Sequence, residues 1–138
     1  MKAQSTDTLF TAITGGIIAS STYLIGGLDN LTTALGIFMI TDYITGLMAS
    51  MHQKEKVSYD RAVKGLTKKG GMISLVIVAN QLDIITGNST GFLRDALIMI
   101  IIGSEGISIV DNAKKSGNTA PDFLVDILNK FKGTKPDK

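Results

Sequence analysis

The sequence lacks cysteine and tryptophan, and it has one histidine, His52, and two prolines among 138 residues. The absence of cysteine excludes disulfides, thiol catalysis and zinc sites built on thiolates. Transition metals in proteins favour histidine and thiolate ligands, so a single histidine leaves no basis for a site of that kind. We therefore expect no metal site and no cofactor.

Charge is also scarce over long stretches. Charged residues make up 19% of the chain, below the roughly 25% that is typical of soluble domains. Between Thr8 and Met51 only Asp29 and Asp42 are charged, and most lysines lie in 52–69 and 111–138. The basic residues flank apolar runs instead of clustering with aromatic residues on one face, so no nucleic-acid partner is expected. The segregation indicates a membrane protein.

Four apolar runs approach the length of about 20 residues that a membrane-spanning helix needs. They lie at about 9–28, 31–51, 70–87 and 92–110. Short polar links, Asp29-Asn30 and 88–91, join them in pairs. We therefore expect an all-α integral membrane protein: a transmembrane domain, 1–110, of four short helices in two hairpins, followed by cytoplasmic amphipathic helices.

The apolar runs have two alternative interpretations, a signal peptide and a soluble helix bundle. A removable signal peptide would account for the first run, but that run exceeds the usual length of about 7–15 apolar residues. A soluble four-helix bundle would carry its charges on one outer face with a helical period. The runs are apolar on all sides and their charges show no such period, so both alternatives are disfavoured.

The distribution of lysine and arginine predicts the orientation. Basic residues of short loops stay preferentially on the cytoplasmic side of a membrane. With four spans, every lysine and arginine except Arg94 lies on one side. We therefore expect a multi-pass protein with both termini in the cytoplasm.

The cytoplasmic segments contain two amphipathic stretches. In the connection 52–69, Ser58 is a candidate N-cap, and Gly65 to Gly71 are interpreted as a hinge before the third span. The basic tail, 111–138, contains a predicted amphipathic helix over 121–132, whose apolar stripe needs lipid or a neighbouring subunit to cover it. We expect the basic residues to contact anionic lipid at the membrane surface, or to act only as solvated orientation signals: Arg61, Lys64, Lys68, Lys69, Lys114, Lys115, Lys130 and Lys132.

Charged residues inside apolar runs are candidate functional residues, because a charge in hydrocarbon needs a partner, a cavity or neutralisation. Asp42 is expected to lack a basic partner at its depth, and it is either a neutral hydrogen-bonded acid or a pore-lining group. Asp83 and Arg94 lie at equal depth on adjacent helices and are expected to pair. Glu105 is expected to pair with Lys68 or Lys69.

Small residues recur at four-residue spacing on the first two spans, which allows close helix approach in lipid. The candidates for such packing are Gly15, Gly16, Ala19, Ser20, Gly46 and Ser50. This pattern predicts a homo-oligomer.

The sequence offers no catalytic constellation. It has no glycine-rich phosphate loop followed by lysine and serine or threonine. The lone His52 lies among lysines in a polar connection, and the carboxylates are dispersed over three runs. We do not expect an enzyme.

Several of these residues also occur in a recognisable order. They are Asp42-Tyr43-Ile44-Thr45-Gly46, Ser58, Gly65 to Lys69, Asp83, Glu105-Gly106-Ile107-Ser108-Ile109, Asn112, Gly117 and Pro121. Over about 35–131 the chain resembles bacteriophage holins of the toxin-secretion and phage-lysis type.

The resemblance implies a protein of the host bacterial cytoplasmic membrane that accumulates, oligomerises and opens lesions at a set time. A murein-degrading endolysin, or in some relatives a toxin, would pass through the lesions as cargo without specific binding. The alternative is a small proton-coupled transporter with Asp42 as its midplane acid, and a subunit of another membrane complex is a third interpretation.

Overall fold

The computed structural model describes residues 2–54 and 58–133, and side chains from Thr6 onward. Residues 134–138, the end of the expected basic tail, lie outside the described residues. Five helices form the described part of the chain: α1 Lys2–Ile25, α2 Asn30–His52, α3 Tyr59–Ile85, α4 Phe92–Lys115 and α5 Asp122–Lys132. No strand occurs in these ranges, so the all-helical prediction is confirmed.

Capping residues account for several helix ends. Asp29 precedes α2 in an extended conformation, and its carboxylate accepts a hydrogen bond from Thr32 N at 2.8 Å. This bond satisfies one of the free N–H groups of the first turn. α5 ends at Gly133, whose φ of +76° is the left-handed conformation that favours glycine.

α4 is the central helix of the molecule. α2, α3 and α5 all pack on it. Its isoleucines form the core with apolar side chains of α2 and α3: Leu35, Met39, Val76, Ile98, Ile101 and Ile102. The second expected hairpin, α3 with α4, is therefore present. The first differs from expectation, because α1 packs against α3 and not extensively against α2.

α1 projects from this core. Every described side chain from Thr6 to Ser20 is exposed, including Phe10 and Ile17. α1 contacts the other helices only near its C-terminal end. Thr6–Ile25 and Asn30–His52 are long and apolar enough to cross a membrane, and the four-span topology stays a prediction.

α3 is one continuous helix of 27 residues. It joins the amphipathic part of the connection to the third apolar run, so the predicted hinge at Gly65 to Gly71 is wrong. Interior glycine costs about 1 kcal/mol relative to alanine, but packing of Met72, Ile73 and Val76 against the core stabilises the helix across the glycines.

α5 folds back onto α4 at two glycines. A Cβ atom at Gly103 would lie 2.5 Å from Lys132 N and 2.7 Å from Leu128 O, and one at Gly106 would lie 2.3 Å from Leu128 Cδ2. Leu128 is consequently buried. The expectation that lipid or another subunit covers the whole stripe is wrong for Leu128, which its own chain covers, whereas Phe123 stays 66% exposed.

Candidate functional site

Two polar clusters lie within the helical body and are separated along α4. The inner cluster consists of Asp42, Lys69, Glu105 and Asn112. The outer cluster consists of Asp29, Asp83, Asn88, Arg94 and Asp95. The four charged residues predicted to lie in the membrane thus divide between the clusters, Asp42 and Glu105 in one, Asp83 and Arg94 in the other.

Lys69 holds the inner cluster together. Its Nζ donates to Asp42 Oδ2 at 2.8 Å and also to Glu105 Oε2. The predicted pairing of Glu105 with Lys69 is confirmed. The expectation that Asp42 lacks a basic partner is wrong, because the unbroken α3 brings Lys69 into contact with the Asp42 carboxylate.

Asn112 completes the surroundings of Asp42. Its Nδ2 donates to Asp42 Oδ1 at 3.2 Å and to Thr45 Oγ1 at 3.2 Å. The Thr45 hydroxyl donates to the backbone carbonyl of Thr41 and not to the Asp42 carboxylate. An ammonium group and an amide group therefore contact the two Asp42 carboxylate oxygens.

The inner cluster contains more acid than base. Glu105 is almost fully buried, with 2% of its side chain exposed, compared with 13% for Lys69 and 17% for Asp42. Two carboxylates thus share one ammonium group at the interface of three helices. Separation of these helices would leave buried charge without a partner unless water entered, and a desolvated unpaired charge is expensive.

Asp83 belongs to the outer cluster but does not pair with the Arg94 side chain, so that prediction is wrong. Its carboxylate accepts from the backbone N–H groups of Leu93 at 3.1 Å and Arg94 at 2.9 Å, and from Asn88 Nδ2 at 2.8 Å. The first turn of a helix has unsatisfied N–H groups and a positive dipole end. Asp83 therefore acts as a buried cap of α4.

The Arg94 guanidinium binds the turn between α1 and α2. Nε donates to Ile25 O at 2.6 Å, and Nη1 donates to Asp29 Oδ2 and Asp95 Oδ1, each at 2.7 Å. Nη2 donates to Gly27 O at 3.2 Å and to the Thr32 hydroxyl. Asp95 is thus a partner of Arg94.

Asn80 reinforces the same turn. Its Nδ2 donates to Tyr23 O at 3.1 Å and to Leu24 O at 3.0 Å. Gly26 has a φ of +80°, and a Cβ there would lie 2.3 Å from Asn80 Oδ1. Side chains of α3 and α4 therefore satisfy the last carbonyls of α1, and they approach too closely for any residue but glycine.

The hydrogen bond from Arg94 lowers the pKa of Asp29 from 3.8 to about 2, while partial burial opposes this shift. From the sequence, Asp29 is predicted only to lie in a turn. Its position directly before a helical run that contains Thr32 is also an N-cap signal, which identifies its role as the cap of α2.

The predicted packing residues divide into two groups. Nothing lies within 4 Å of a Cβ at Gly15 or Gly16, and Ala19 and Ser20 are exposed. A Cβ at Gly46 would instead lie 3.5 Å from Asn112 Nδ2, and Ser50 lines a cleft beside the inner cluster. The α1 positions are therefore exposed, whereas Gly46 and Ser50 lie at the cleft.

Of the predicted surface bases, all but Lys69 are exposed: Arg61, Lys64, Lys68, Lys114, Lys115, Lys130 and Lys132. Within the ranges 2–54 and 58–133, no group of three or more histidine, aspartate or glutamate side chains is placed to hold a metal ion.

Comparisons with known proteins place the chain in a family. A family model described as "Bacteriophage holin family" matches residues 19–133. An uncharacterised protein of Listeria innocua is 36% identical over 118 residues, which cover 84% of this chain and 81% of the relative. A probable holin of Bacillus phage phi105 is 32% identical over 116 residues, 84% of each chain. No solved structure matches.

Proposed function

The chain belongs to the bacteriophage holin family, and we propose that it oligomerises in the host bacterial cytoplasmic membrane and forms lesions that release an endolysin or a toxin. The single observation that carries this proposal beyond family membership is the exposed α1. It is an apolar helix on which Gly15, Gly16, Ala19 and Ser20 are exposed, and nothing lies within 4 Å of a Cβ at either glycine.

Association through α1 is favoured by its composition. In lipid, helices associate by close packing, and small residues four positions apart allow the backbones to approach. Gly15 with Ala19 and Gly16 with Ser20 have this spacing, and all four are uncovered. Such contacts form without separating α2, α3 and α4, so oligomers can assemble while the inner cluster is still closed.

The inner cluster gives the lesion its polar surface in this proposal. Lys69, Asp42 and Glu105 satisfy one another inside the closed molecule. If α2, α3 and α4 separate within the subunits of an oligomer, these groups tolerate water far better than lipid. Helix rearrangement within an oligomer therefore favours a water-filled opening, and cargo passes through it without a specific binding site.

The pairing of Asp42 with Lys69 weakens the transporter alternative. That alternative needs an acid that takes up and releases protons alternately from two sides. The Lys69 ammonium group at 2.8 Å and the Asn112 amide already occupy the Asp42 oxygens, so Asp42 is poorly placed for that role.

The multi-pass topology with both termini in the cytoplasm is part of the proposal. One side of the molecule contains the end of α2 at His52, the end of α4 at Lys115 and the beginning of α3. Reporter fusions after Lys54 and after Lys132 should both read as cytoplasmic, and a fusion after Ser89 as external. A cytoplasmic reading after Ser89 would contradict the four-span arrangement.

Expression of the full chain in a bacterium without any endolysin tests the function. We expect growth to stop abruptly, together with loss of membrane potential measured by a potential-sensitive dye. With a cytoplasmic endolysin co-expressed, murein degradation should begin at the same moment. Continued growth with intact potential, at membrane levels confirmed by immunoblot, would refute the proposal.

A further inference from the structure

A cleft of about 500 Å³ opens beside the inner cluster. It lies between α2 and α3, because both helices pack on α4 and neither packs extensively on the other. Ser108 and Asn112 of α4 also line it. Its volume falls within the range of about 300–1000 Å³ that is common for ligand sites.

The lining of the cleft has an excess of positive charge. Four basic residues and one acid contribute to it: Arg61, Lys68, Lys69, Lys115 and Asp42. Lys69 is already paired with Asp42 and Glu105. In the described part of the chain, neither Lys68 nor Lys115 has an ion-pair partner. The cleft therefore offers two available ammonium groups and suits an anion.

One wall of the cleft is apolar and continues onto the outer surface of α2. Tyr43 and Leu47 line the cleft, and both are a little under half exposed. Ile44, next to Tyr43, is exposed. A small free anion would leave this wall in contact with water, whereas an amphiphile would cover it and place its charged end near Lys68 and Lys115.

We propose that this cleft binds an anionic phospholipid, with the headgroup phosphate at Lys68 and Lys115 and an acyl chain along Tyr43 and Leu47. The proposal depends on the proposed function only for the membrane location. Lipid retention is measured without lesion formation, so each of the two can fail separately.

Native mass spectrometry of the full chain tests this binding. The protein is released from mixed micelles that contain equal amounts of phosphatidylglycerol and phosphatidylcholine. We expect one retained phosphatidylglycerol per chain in preference to phosphatidylcholine. The double variant Lys68→Gln/Lys115→Gln should retain it about 10-fold to 30-fold less, since each basic residue near lipid headgroups contributes to the attraction.

The matched control is Lys64→Gln/Lys114→Gln. It removes the same charge from exposed positions of the same two helices that do not line the cleft. This control should retain phosphatidylglycerol as the unchanged chain does. Equal losses in the two double variants, or no preference for phosphatidylglycerol, would overturn the proposal.

Two further measurements complete the test. If the Lys68→Gln/Lys115→Gln variant does not fold by circular dichroism, Lys115→Gln alone should lower retention and Lys115→Arg should restore it. Inorganic phosphate in excess should not displace the lipid, because it cannot cover the apolar wall. Displacement by phosphate would replace the lipid proposal with a site for a free anion.

Discussion

The Asp83 carboxylate accepts a hydrogen bond from the backbone N–H of Arg94 at 2.9 Å, while the Arg94 side chain extends away to the turn between α1 and α2. Asp83 thus connects α3 to the start of α4, and Arg94 connects α4 to the turn between α1 and α2. The Asp83 carboxylate and the Arg94 guanidinium therefore form no ion pair with each other. Asp83 caps a helix, and the guanidinium binds other groups.

Exchanging the two charges should therefore fail to restore stability. Asp83→Ala removes the acceptor for two backbone N–H groups and should cost about 1–3 kcal/mol, and Asp83→Asn should cost less. The double exchange Asp83→Arg/Arg94→Asp should be no more stable than the less stable of its two single variants, Asp83→Arg and Arg94→Asp. Thermal unfolding in detergent measures these differences. Recovery in the double exchange would indicate a direct ion pair instead.

Lys69 should be the most sensitive residue of the inner cluster. Lys69→Met leaves the buried Glu105 and the partly buried Asp42 without a cation, and breaking a buried pair in this way costs about 3–5 kcal/mol. Adding Asp42→Asn and Glu105→Gln to that variant should recover much of the loss, because no buried charge is then left unpaired. Lys64→Met, on the exposed side of α3, is the control. Equal stability of the two single variants would contradict the described cluster.

Substitutions at Gly103 and Gly106 should affect α5 differently. Alanine at Gly103 meets backbone atoms of α5 that cannot move alone, whereas alanine at Gly106 meets only the flexible end of Leu128. Gly103→Ala should therefore release α5, and hydrogen exchange of residues 122–132 should accelerate more than in Gly106→Ala. Gly65→Ala, where nothing lies within 4 Å, should leave that exchange unchanged. Identical exchange in all three variants would show that α5 is not docked there.

The pH dependence of stability should include a contribution from Asp29. Its pKa is about 2 in the folded chain compared with 3.8 for the free side chain. A lowered pKa stabilises the folded state above pH 3.8, and this contribution is lost as the pH falls towards 2. Asp29→Asn keeps a capping side chain but removes the charge, so its unfolding should depend less on pH over this interval. An unchanged profile would exclude the interaction with Arg94.

The sequence predicted the helices better than their contacts. Apolar runs and Pro121 placed α2 and α5 within a residue or two of their observed bounds, because length and capping are local properties. The partner of Asp42 was missed because glycines around Lys69 suggested a break, and only tertiary packing keeps α3 helical there. The docking of α5 was missed for a related reason, since a glycine reveals a close approach only when the neighbouring helix is known.

Subunits should associate through the small-residue face of α1. Gly16→Leu places a bulky side chain where the small-residue face would meet another α1, so crosslinked oligomers in membranes should decrease and growth arrest should come later. Thr14→Leu is the matched control, because it places the same leucine side chain about 160° around the same helix at a position that is also exposed. Bulk on that side should leave crosslinking and timing unchanged. If both variants delay arrest equally, the small-residue face has no special role, and the effect belongs to the apolar content of α1. If neither variant changes the crosslinking pattern, subunits associate through another helix.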